Sequence, residues 1–243
     1  GVVDVQVSDA ALLRDTNDLV IQGDVGTMNI RAANLTQLES LTVGNNASIA
    51  ADSVQLDNAA NDFQEGLSLE VTGDTQVVDI NQLQVAGDLN TATLSANTLM
   101  LDKLVALGDV TFNANSTVQN GELSVGGTST FNGDSIALGN AANNFDGAVN
   151  LNLTGSASLV GSGDLEVTGS AVEVDAKAGA LAVSSLTAGD ITLQANQLEL
   201  INFATAGNLT LNGGNVIQQG ALQVGGTTSL GASNVTLQDQ GNH

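Results

Sequence analysis

The fold of this chain is decided by the stretch Leu138-Gly-Asn-Ala-Ala-Asn-Asn-Phe-Asp-Gly-Ala-Val-Asn-Leu-Asn-Leu-Thr-Gly155, which has an ungapped near-copy upstream, Leu56-Asp-Asn-Ala-Ala-Asn-Asp-Phe-Gln-Glu-Gly-Leu-Ser-Leu-Glu-Val-Thr-Gly73. Each copy is a loop rich in Asn and Ala with one Phe, followed by a short apolar segment. In the downstream copy Val149, Leu151 and Leu153 alternate with Asn residues, which is the period of a β-strand. Such a unit buries its apolar face only against further copies, so the motif predicts a solenoid.

The composition limits what can fill the interior. The 243 residues include no Pro, Cys, Trp or Tyr and five Phe, whereas an enzyme core of this size normally relies on aromatic side chains for buried area. Small aliphatic side chains must therefore form a narrow core. The apolar share of 42% and the persistent alternation are not typical of a disordered chain.

The charge is strongly acidic. Four Lys and Arg residues oppose 26 Asp and Glu residues, which gives a formal net charge of −22. Nucleic acids and anionic membrane surfaces are bound through basic side chains, so both are excluded as partners. No apolar run approaches the roughly 20 residues that span a bilayer, so we expect no membrane insertion. The acidic surface either keeps the protein soluble or binds divalent cations.

Two periods organise the chain. A Gly-Asp step before an apolar residue recurs at roughly every 20 residues, for example at Gly87 and again at Gly108, as the bends of a β-helix require. A longer period relates Leu41, Leu123 and Leu222, each followed by x-Val-Gly, at offsets of 82 and 99. These periods predict a single right-handed parallel β-helix over 1–243, with roughly 12 coils of about 20 residues.

Three local expectations accompany this fold. Helical signals are nearly missing, although the segment from Ala10 to Asp18 could make a turn or two of helix. A third copy of the opening motif is expected to begin at Leu237. We also expect the chain to be a segment of a longer repetitive polypeptide, in which Gly1 and His243 are not necessarily native residues.

The chain resembles the repeats of filamentous-haemagglutinin-like exoproteins. The residues that carry the resemblance are Gln-Asn-Gly-Glu-Leu-Ser-Val-Gly-Gly-Thr at 119–128, its counterpart at 218–227, and Asn-Ala-Ala-Asn-Asn-Phe at 140–145. It covers essentially the whole chain. Proteins of that family are very large bacterial adhesins, many exported by two-partner secretion, whose shafts are right-handed parallel β-helices. The resemblance implies a secreted or cell-surface protein with an outer-membrane export partner and a role in adhesion, biofilm or virulence.

We expect no enzymatic activity. Polysaccharide hydrolases and lyases also use parallel β-helices, but a hydrolase needs two carboxylates that face one site. The members of the pair Asp164 and Glu166, like those of Glu173 and Asp175, alternate with one intervening residue, which places both carboxylates on the solvent face of a strand. No Trp or Tyr is present to stack on sugar rings, and the one histidine is the terminal His243.

No cofactor and no metal site is expected, with calcium as the weak alternative. The Gly-Gly-x-Gly-x-Asp pattern of calcium-binding β-rolls is absent. A calcium site needs six to eight oxygen ligands that converge. The acidic residues of the predicted turns are instead spread along the chain, at Asp57, Asp62, Asp74 and Asp79.

The residues that we single out are structural. Asn side chains stacked on their copies can hydrogen-bond along the axis of a solenoid, and Phe rings can plug its interior. The candidates for these ladders are Asn58, Asn61, Phe63, Asn140, Asn143 and Phe145.

As function we expect a structural shaft segment of a bacterial adhesin, which extends a binding tip and supports cell–cell, host or matrix contact. Its partners would be the rest of the parent exoprotein and possible host or matrix glycans and proteins, and the fragment itself is expected to be monomeric. The alternative is a polysaccharide- or calcium-binding module of the same exoprotein.

Overall fold

A computed structural model describes residues 1–242. It is an all-β, parallel β-solenoid of about 13 turns, without a helix in those residues, so the predicted fold class is confirmed. The chain divides into two compact units, Gly1–Ser124 (unit 1) and Val125–His243 (unit 2). His243, which the sequence placed at the terminus, lies outside the described residues.

Unit 1 contains twelve strands, and a thirteenth straddles its end. Their bounds are β1 Val2–Arg14, β2 Leu19–Arg31, β3 Asn34–Val43, β4 Ala47–Ala51, β5 Ser53–Leu56, β6 Asp62–Phe63, β7 Gly66–Val71, β8 Asp74–Val78, β9 Gln82–Leu89, β10 Thr91–Ser95, β11 Thr98–Ala106, β12 Val110–Gln119 and β13 Leu123–Val125.

Unit 2 contains the remaining strands. Their bounds are β14 Ser129–Leu138, β15 Asn144–Phe145, β16 Val149–Leu153, β17 Ser156–Val160, β18 Asp164–Ser170, β19 Glu173–Lys177, β20 Ala180–Ala188, β21 Asp190–Ile201, β22 Phe203–Thr205, β23 Leu209–Gln218, β24 Leu222–Val224 and β25 Thr228–Thr236.

Alternation within each strand produces the core. In β16 the apolar residues of Val149–Leu153 are buried and the Asn residues between them are more accessible. Leu151 lies opposite Phe131 of β14 on one side and Gly169 of β18 on the other, so inward residues form columns across successive turns. In unit 1, Leu69 lies in the same way between Ile49 and Gly87. Stacking of successive turns therefore buries apolar side chains that a single turn would leave exposed.

The interior is filled as the composition requires. Nearly all buried side chains are Val, Leu, Ile and Ala, and the five Phe side chains lie among them. Those Phe residues, all buried, are Phe63, Phe112, Phe131, Phe145 and Phe203.

Some Gly-Asp steps lie inside strands and not before them. Gly108 and Gly163 precede a strand, as expected, but Gly87 is in the middle of β9. Its φ of +134° is unfavourable for side chains, and a Cβ there would meet the carbonyl oxygen of Leu69 at 1.8 Å. Glycine at this position therefore lets the strand bend while it stays close to the turn below.

The expected helical turn from Ala10 to Asp18 is wrong. Residues up to Arg14 belong to β1, which pairs in parallel with β2 so that Arg14 lies opposite Arg31. A register shift between Val7 and Ala10 interrupts the regular pairing of the two strands. Pairing with the next turn supplies ladder hydrogen bonds as far as Arg14, and this overrides the local pattern.

Candidate functional site

The loop of the repeated motif contains the most extensive polar contacts of unit 1. Asn61 is fully buried, and its Oδ1 accepts hydrogen bonds from Gln37 Nε2 (2.7 Å) and from the backbone N–H of Leu41 (2.9 Å). Its Nδ2 donates to Gln37 Oε1 (2.9 Å), Leu56 O (3.1 Å) and Val78 O (3.2 Å). We call this reciprocal amide pair, with its backbone partners, the Gln–Asn clasp. It joins three consecutive turns.

The same clasp recurs at the end of unit 2. Gln218 Nε2 donates to Asn242 Oδ1, Asn242 Nδ2 donates back to Gln218 Oε1 (3.1 Å), and the N–H of Leu222 donates to Asn242 Oδ1 (2.9 Å). The neighbouring contact also repeats, because Gln218 Oε1 accepts the N–H of Asp239 as Gln37 Oε1 accepts that of Asn58. The motif that was expected to begin at Leu237 therefore follows the geometry of the first copy.

The loop between these copies, in unit 2, has the same local geometry. Asn143 is fully buried, and its Nδ2 donates to Leu138 O (3.3 Å) and Val160 O (3.1 Å). Its N–H donates to Asn140 O (3.1 Å), and Asn140 Oδ1 accepts the N–H of Ala142 (2.9 Å). In unit 1 the Asn58 side chain accepts the N–H of Ala60 in the same way.

Hydrogen bonds between two Asn side chains occur on the exposed surface and not at Asn61. The contacts of the Asn61 amide join it to Gln37 and to backbone groups, and not to a copy of itself. Asn–Asn contacts one turn apart lie instead on the exposed surface, and sequence reasoning missed them: Asn97 with Asn115, Asn132 with Asn152, and Asn215 with Asn234. Sequence reasoning also missed Gln37, although it precedes Leu41 at the same spacing as Gln119 precedes Leu123.

Asp79 is a buried carboxylate beside the first clasp. Its Oδ2 accepts the N–H of Phe63 and its Oδ1 accepts that of Asn81, both at 2.7 Å. Burial raises the pKa of Asp79 above its ordinary value, the two N–H donors lower it in part, and the neighbouring charge of Asp62 raises it further. Asp79 thus acts as an acceptor for two turns of backbone, which is a structural role.

The other acidic residues remain dispersed. Asp164 and Glu166 are exposed on β18, and Glu173 and Asp175 are exposed on β19. Over residues 1–242 no three His, Cys, Asp or Glu side chains are grouped so that they could hold a metal ion. No helix in that part of the chain is long and apolar enough to cross a membrane.

A polar groove of about 620 Å³ lies open on unit 1. It crosses five strands of successive turns, β3, β5, β8, β10 and β12. Their side chains stand in register as a column: Thr36, Gln55, Gln76, Thr93 and Thr111. A second column flanks it, in which Ser53 donates to Asn34 and Thr91 donates to Asp74, both at 2.6 Å. Hydroxyl, amide and carboxylate groups therefore line the groove, and aromatic rings do not.

A second groove, of about 660 Å³ on unit 2, is more acidic. Glu166 and Glu199 line it together with Asp146 and Asp164. Glu166 accepts a hydrogen bond from Ser184 Oγ (2.9 Å).

Comparison with known proteins gives one family. A model described as repeats of unknown function (DUF5649) matches residues 8–70, 86–152 and 188–243, which is more than half of the chain. No curated protein and no solved structure matches the chain. The three matched segments contain the three x-Val-Gly motifs at Leu41, Leu123 and Leu222. The chain therefore belongs to this family of repeats of unknown function.

Proposed function

We propose that the chain is a structural shaft segment of a secreted or surface-anchored bacterial adhesin of the filamentous-haemagglutinin-like type. It extends a binding tip away from the cell and so supports cell–cell, host or biofilm-matrix contact. Export through an outer-membrane partner belongs to the same proposal. The motifs at 119–128 and 218–227, together with membership in a repeat family, support it.

The observation that carries the proposal is that the buried polar side chains form their hydrogen bonds with the backbone of neighbouring turns. The fully buried Asn61 and the buried Asp79 bind backbone groups of adjacent turns, and the buried Asn143 binds Leu138 and Val160 in the same manner. These groups hold turns together. The carboxylates of residues 1–242 form no group of three that could hold a metal ion.

In this proposal, hydrogen-bonded stacking of turns supplies length and stiffness. Each strand in the interior of a unit is hydrogen-bonded to the turn below and the turn above, so bending requires several ladder bonds to break together. Every added turn contributes a rise of about 4.8 Å. Repeats then act as exchangeable spacers, while the net charge of −22 keeps neighbouring molecules apart.

The test compares two changes in the parent protein on cells. Deletion of residues 57–138, which joins Leu56 to the residue after its counterpart Leu138, should weaken adhesion only through lost reach. Replacing the exposed acids by alanine, as Asp164→Ala, Glu166→Ala and Glu173→Ala, should change adhesion little. If the isolated fragment blocks attachment at micromolar concentration and one of these replacements abolishes the block, the segment is a binding site and the shaft proposal fails.

The second candidate is a polysaccharide-binding module, and the polar groove of unit 1 favours it. Five side chains in one column across successive turns could hydrogen-bond to an extended neutral glycan that runs across the strands. Calorimetric titration with neutral oligosaccharides tests this function. It requires micromolar binding that Gln76→Ala removes and that Gln194→Ala, an exposed substitution on unit 2, leaves intact. Absence of heat with every oligosaccharide would reject it.

A further inference from the structure

One groove of unit 1 has a wall of charged and apolar side chains that the following repeat lacks. The groove has a volume of about 600 Å³ and crosses the ends of β2, β4, β7, β9 and β11. Side chains of its wall lie opposite one another on successive turns, in the order Arg31, Ala50, Glu70, Asp88 and Val105. The wall is therefore positive at one end, negative in the middle and apolar at the other end.

The fold does not need this wall, because the following repeat has neutral polar residues in its place. Residues 31–106 align without a gap with residues 113–188. The corresponding wall of the following repeat is Asn113, Asn132, Asn152, Ser170 and Thr187. In unit 2 Asn132 lies opposite Asn152, as Ala50 lies opposite Glu70 in unit 1. The same backbone thus forms without the charges.

Leu107 is an insertion relative to the following repeat. Ala106 corresponds to Ala188, and the next residue there is already Gly189, which corresponds to Gly108. The side chain of Leu107 is 75% exposed and lines the apolar end of the groove. The core therefore does not account for Leu107, and its apolar surface is accessible to a ligand.

The charges of the wall are not compensated within the described part of the chain. Over residues 1–242 the ion pair that the structure contains joins Lys103 to Glu122. Glu70 lies directly opposite Asp88, and like charges at opposite positions destabilise a sheet. The neutral residues of the following repeat avoid this cost. Exposed charges that the fold does not require, and that lower its stability, indicate a ligand with complementary groups.

We propose that this groove binds an extended peptide segment of another protein. The segment has an acidic, a basic and an apolar side chain in that order along the groove. Its acidic side chain pairs with Arg31, and its basic side chain pairs with Glu70 and Asp88. Its apolar side chain packs against Val105 and Leu107. Neutral glycans and metal ions do not combine these three kinds of group, whereas an extended polypeptide does.

The spacing of the turns fixes the spacing of the peptide side chains. Successive turns are about 4.8 Å apart, so Asp88 lies roughly 14 Å from Arg31 along the axis, and the turn of Leu107 roughly 19 Å. An extended peptide rises about 3.3 Å per residue, and its alternate side chains point to the same side. Side chains four and six residues from the acidic one, at roughly 13 Å and 20 Å, therefore reach the basic and the apolar positions.

Titration with short peptides tests the proposal. The probe is a capped, fluorophore-labelled heptapeptide with Glu first, Lys fifth, Leu last and Thr elsewhere, and its reversed sequence tests the other chain direction. The control peptide has Glu and Lys exchanged, so its composition and net charge are the same. From fluorescence anisotropy we expect the probe or its reverse to bind with a Kd below about 1 mM, at least about fivefold lower than that of the control peptide.

A variant with residues of the following repeat shows whether the charges are responsible. Arg31→Asn, Glu70→Asn and Asp88→Ser together should lower the affinity for the probe to that for the control peptide. Circular dichroism should show an unchanged fold, because the following repeat has these residues at the corresponding places. The variant loses one positive and two negative charges. Glu173→Gln, at an exposed position of β19, is matched to it in net charge and should leave the affinity unchanged.

Two further variants test the order of the groups along the groove. Arg31→Glu combined with Asp88→Arg keeps the net charge and should bind the control peptide at least about threefold more tightly than the probe. Leu107→Ser should weaken binding of the probe at least about twofold. The proposal is overturned if neither the probe nor its reverse binds at millimolar concentration, or if the control peptide binds the unmodified chain equally well. Unchanged affinity of the combined neutral variant or of Leu107→Ser would also overturn it.

Discussion

At the scale of single residues, buried polar groups do most to specify how the turns stack. Asn61 has both lone pairs and both amide protons engaged, and its bonds to Leu41, Leu56 and Val78 reach backbone groups of three turns. A buried polar group that is fully satisfied stabilises one arrangement, because any other arrangement leaves it unpaired. The apolar columns alone would tolerate sliding between similar turns.

Asn61→Ala should therefore destabilise unit 1 strongly. The substitution removes the partner of the N–H of Leu41, of the buried carbonyl of Leu56 and of the part-buried carbonyl of Val78, and unpaired buried groups cost about 1–3 kcal/mol each. We expect a loss of about 3 kcal/mol in the free energy of unfolding, measured by urea titration with circular dichroism. The control is Asn115→Ala, which removes one exposed bond to Asn97 and should cost less than about 1 kcal/mol. Equal losses of unfolding free energy in the two variants would show that the clasp stabilises the fold no more than an exposed Asn–Asn bond does.

The raised pKa of Asp79 predicts how the stability of the fold changes with pH. Burial raises its pKa above the ordinary 3.8, so the folded chain holds this proton more tightly than the unfolded chain does. The stability from the neutral carboxyl is fully present below a pH of about 3.8 and is lost as the pH rises through the folded-state pKa.

The measurement compares Asp79→Asn with the unmodified chain. The amide cannot ionise, so the stability of the unmodified chain relative to Asp79→Asn should fall as the pH is raised from about 3.5 to 7. Thermal unfolding in dilute solution across this range gives the difference at each pH. A relative stability that rises with pH would contradict the raised pKa.

At the scale of strands, close approach of the backbone decides where glycine is required. Gly87→Ala puts a Cβ 1.8 Å from the carbonyl oxygen of Leu69 at a φ of +134°, so β9 must move away from β7. We expect destabilisation of about 2 kcal/mol or more in urea unfolding. Gly139→Ala is the matched control, since its Cβ would have no atom within 4 Å, and it should change stability by less than about 0.5 kcal/mol. A tolerated Gly87→Ala would mean that β9 has room to shift.

The strand pattern was predictable because the period of two is a local property. Val149, Leu151 and Leu153 have to share a face in any extended chain, and one buried face with a near-copy upstream leaves few folds other than a solenoid. The segment Ala10–Asp18 was not predictable in this way. Its strand depends on the pairing of Ala10 with Thr27 across a register shift, which the local sequence does not encode.

The contacts of the loop could not be predicted because the turns differ in length. Leu19 lies opposite Leu35, whereas Ser129 lies opposite Val149, so the second of these turns is the longer one. Counting a fixed number of residues per coil therefore identifies the wrong neighbours. Asn61 was predicted to be a structural residue stacked on its copies, and finding its partner Gln37 instead requires the lengths of the individual corners.

At the scale of the whole molecule, the charge predicts how ions act. The chain has a net charge of −22 and only four Lys and Arg residues, so its surface charges repel one another. Added ions should screen this repulsion and raise the melting temperature. We expect calcium chloride to raise it no more than sodium chloride at matched ionic strength, as followed by circular dichroism. A chelator should leave the protein folded. Unfolding by chelator alone, or a rise specific to calcium, would reveal bound ions that the dispersed carboxylates do not suggest.

The most direct test of the account is the in-register deletion of residues 57–138, because exchangeable turns are its central claim. Leu56 then continues into the loop after Leu138, its counterpart, so every later turn keeps its pairing. The account predicts a folded protein with the same β-sheet spectrum per residue and a urea m-value reduced in proportion to the residues removed. Deletion of 57–147, which also removes the loop and leaves a turn too short to close, should not fold cooperatively. An unfolded in-register deletion, or equal stability of the two, would contradict the claim that repeat register specifies this fold.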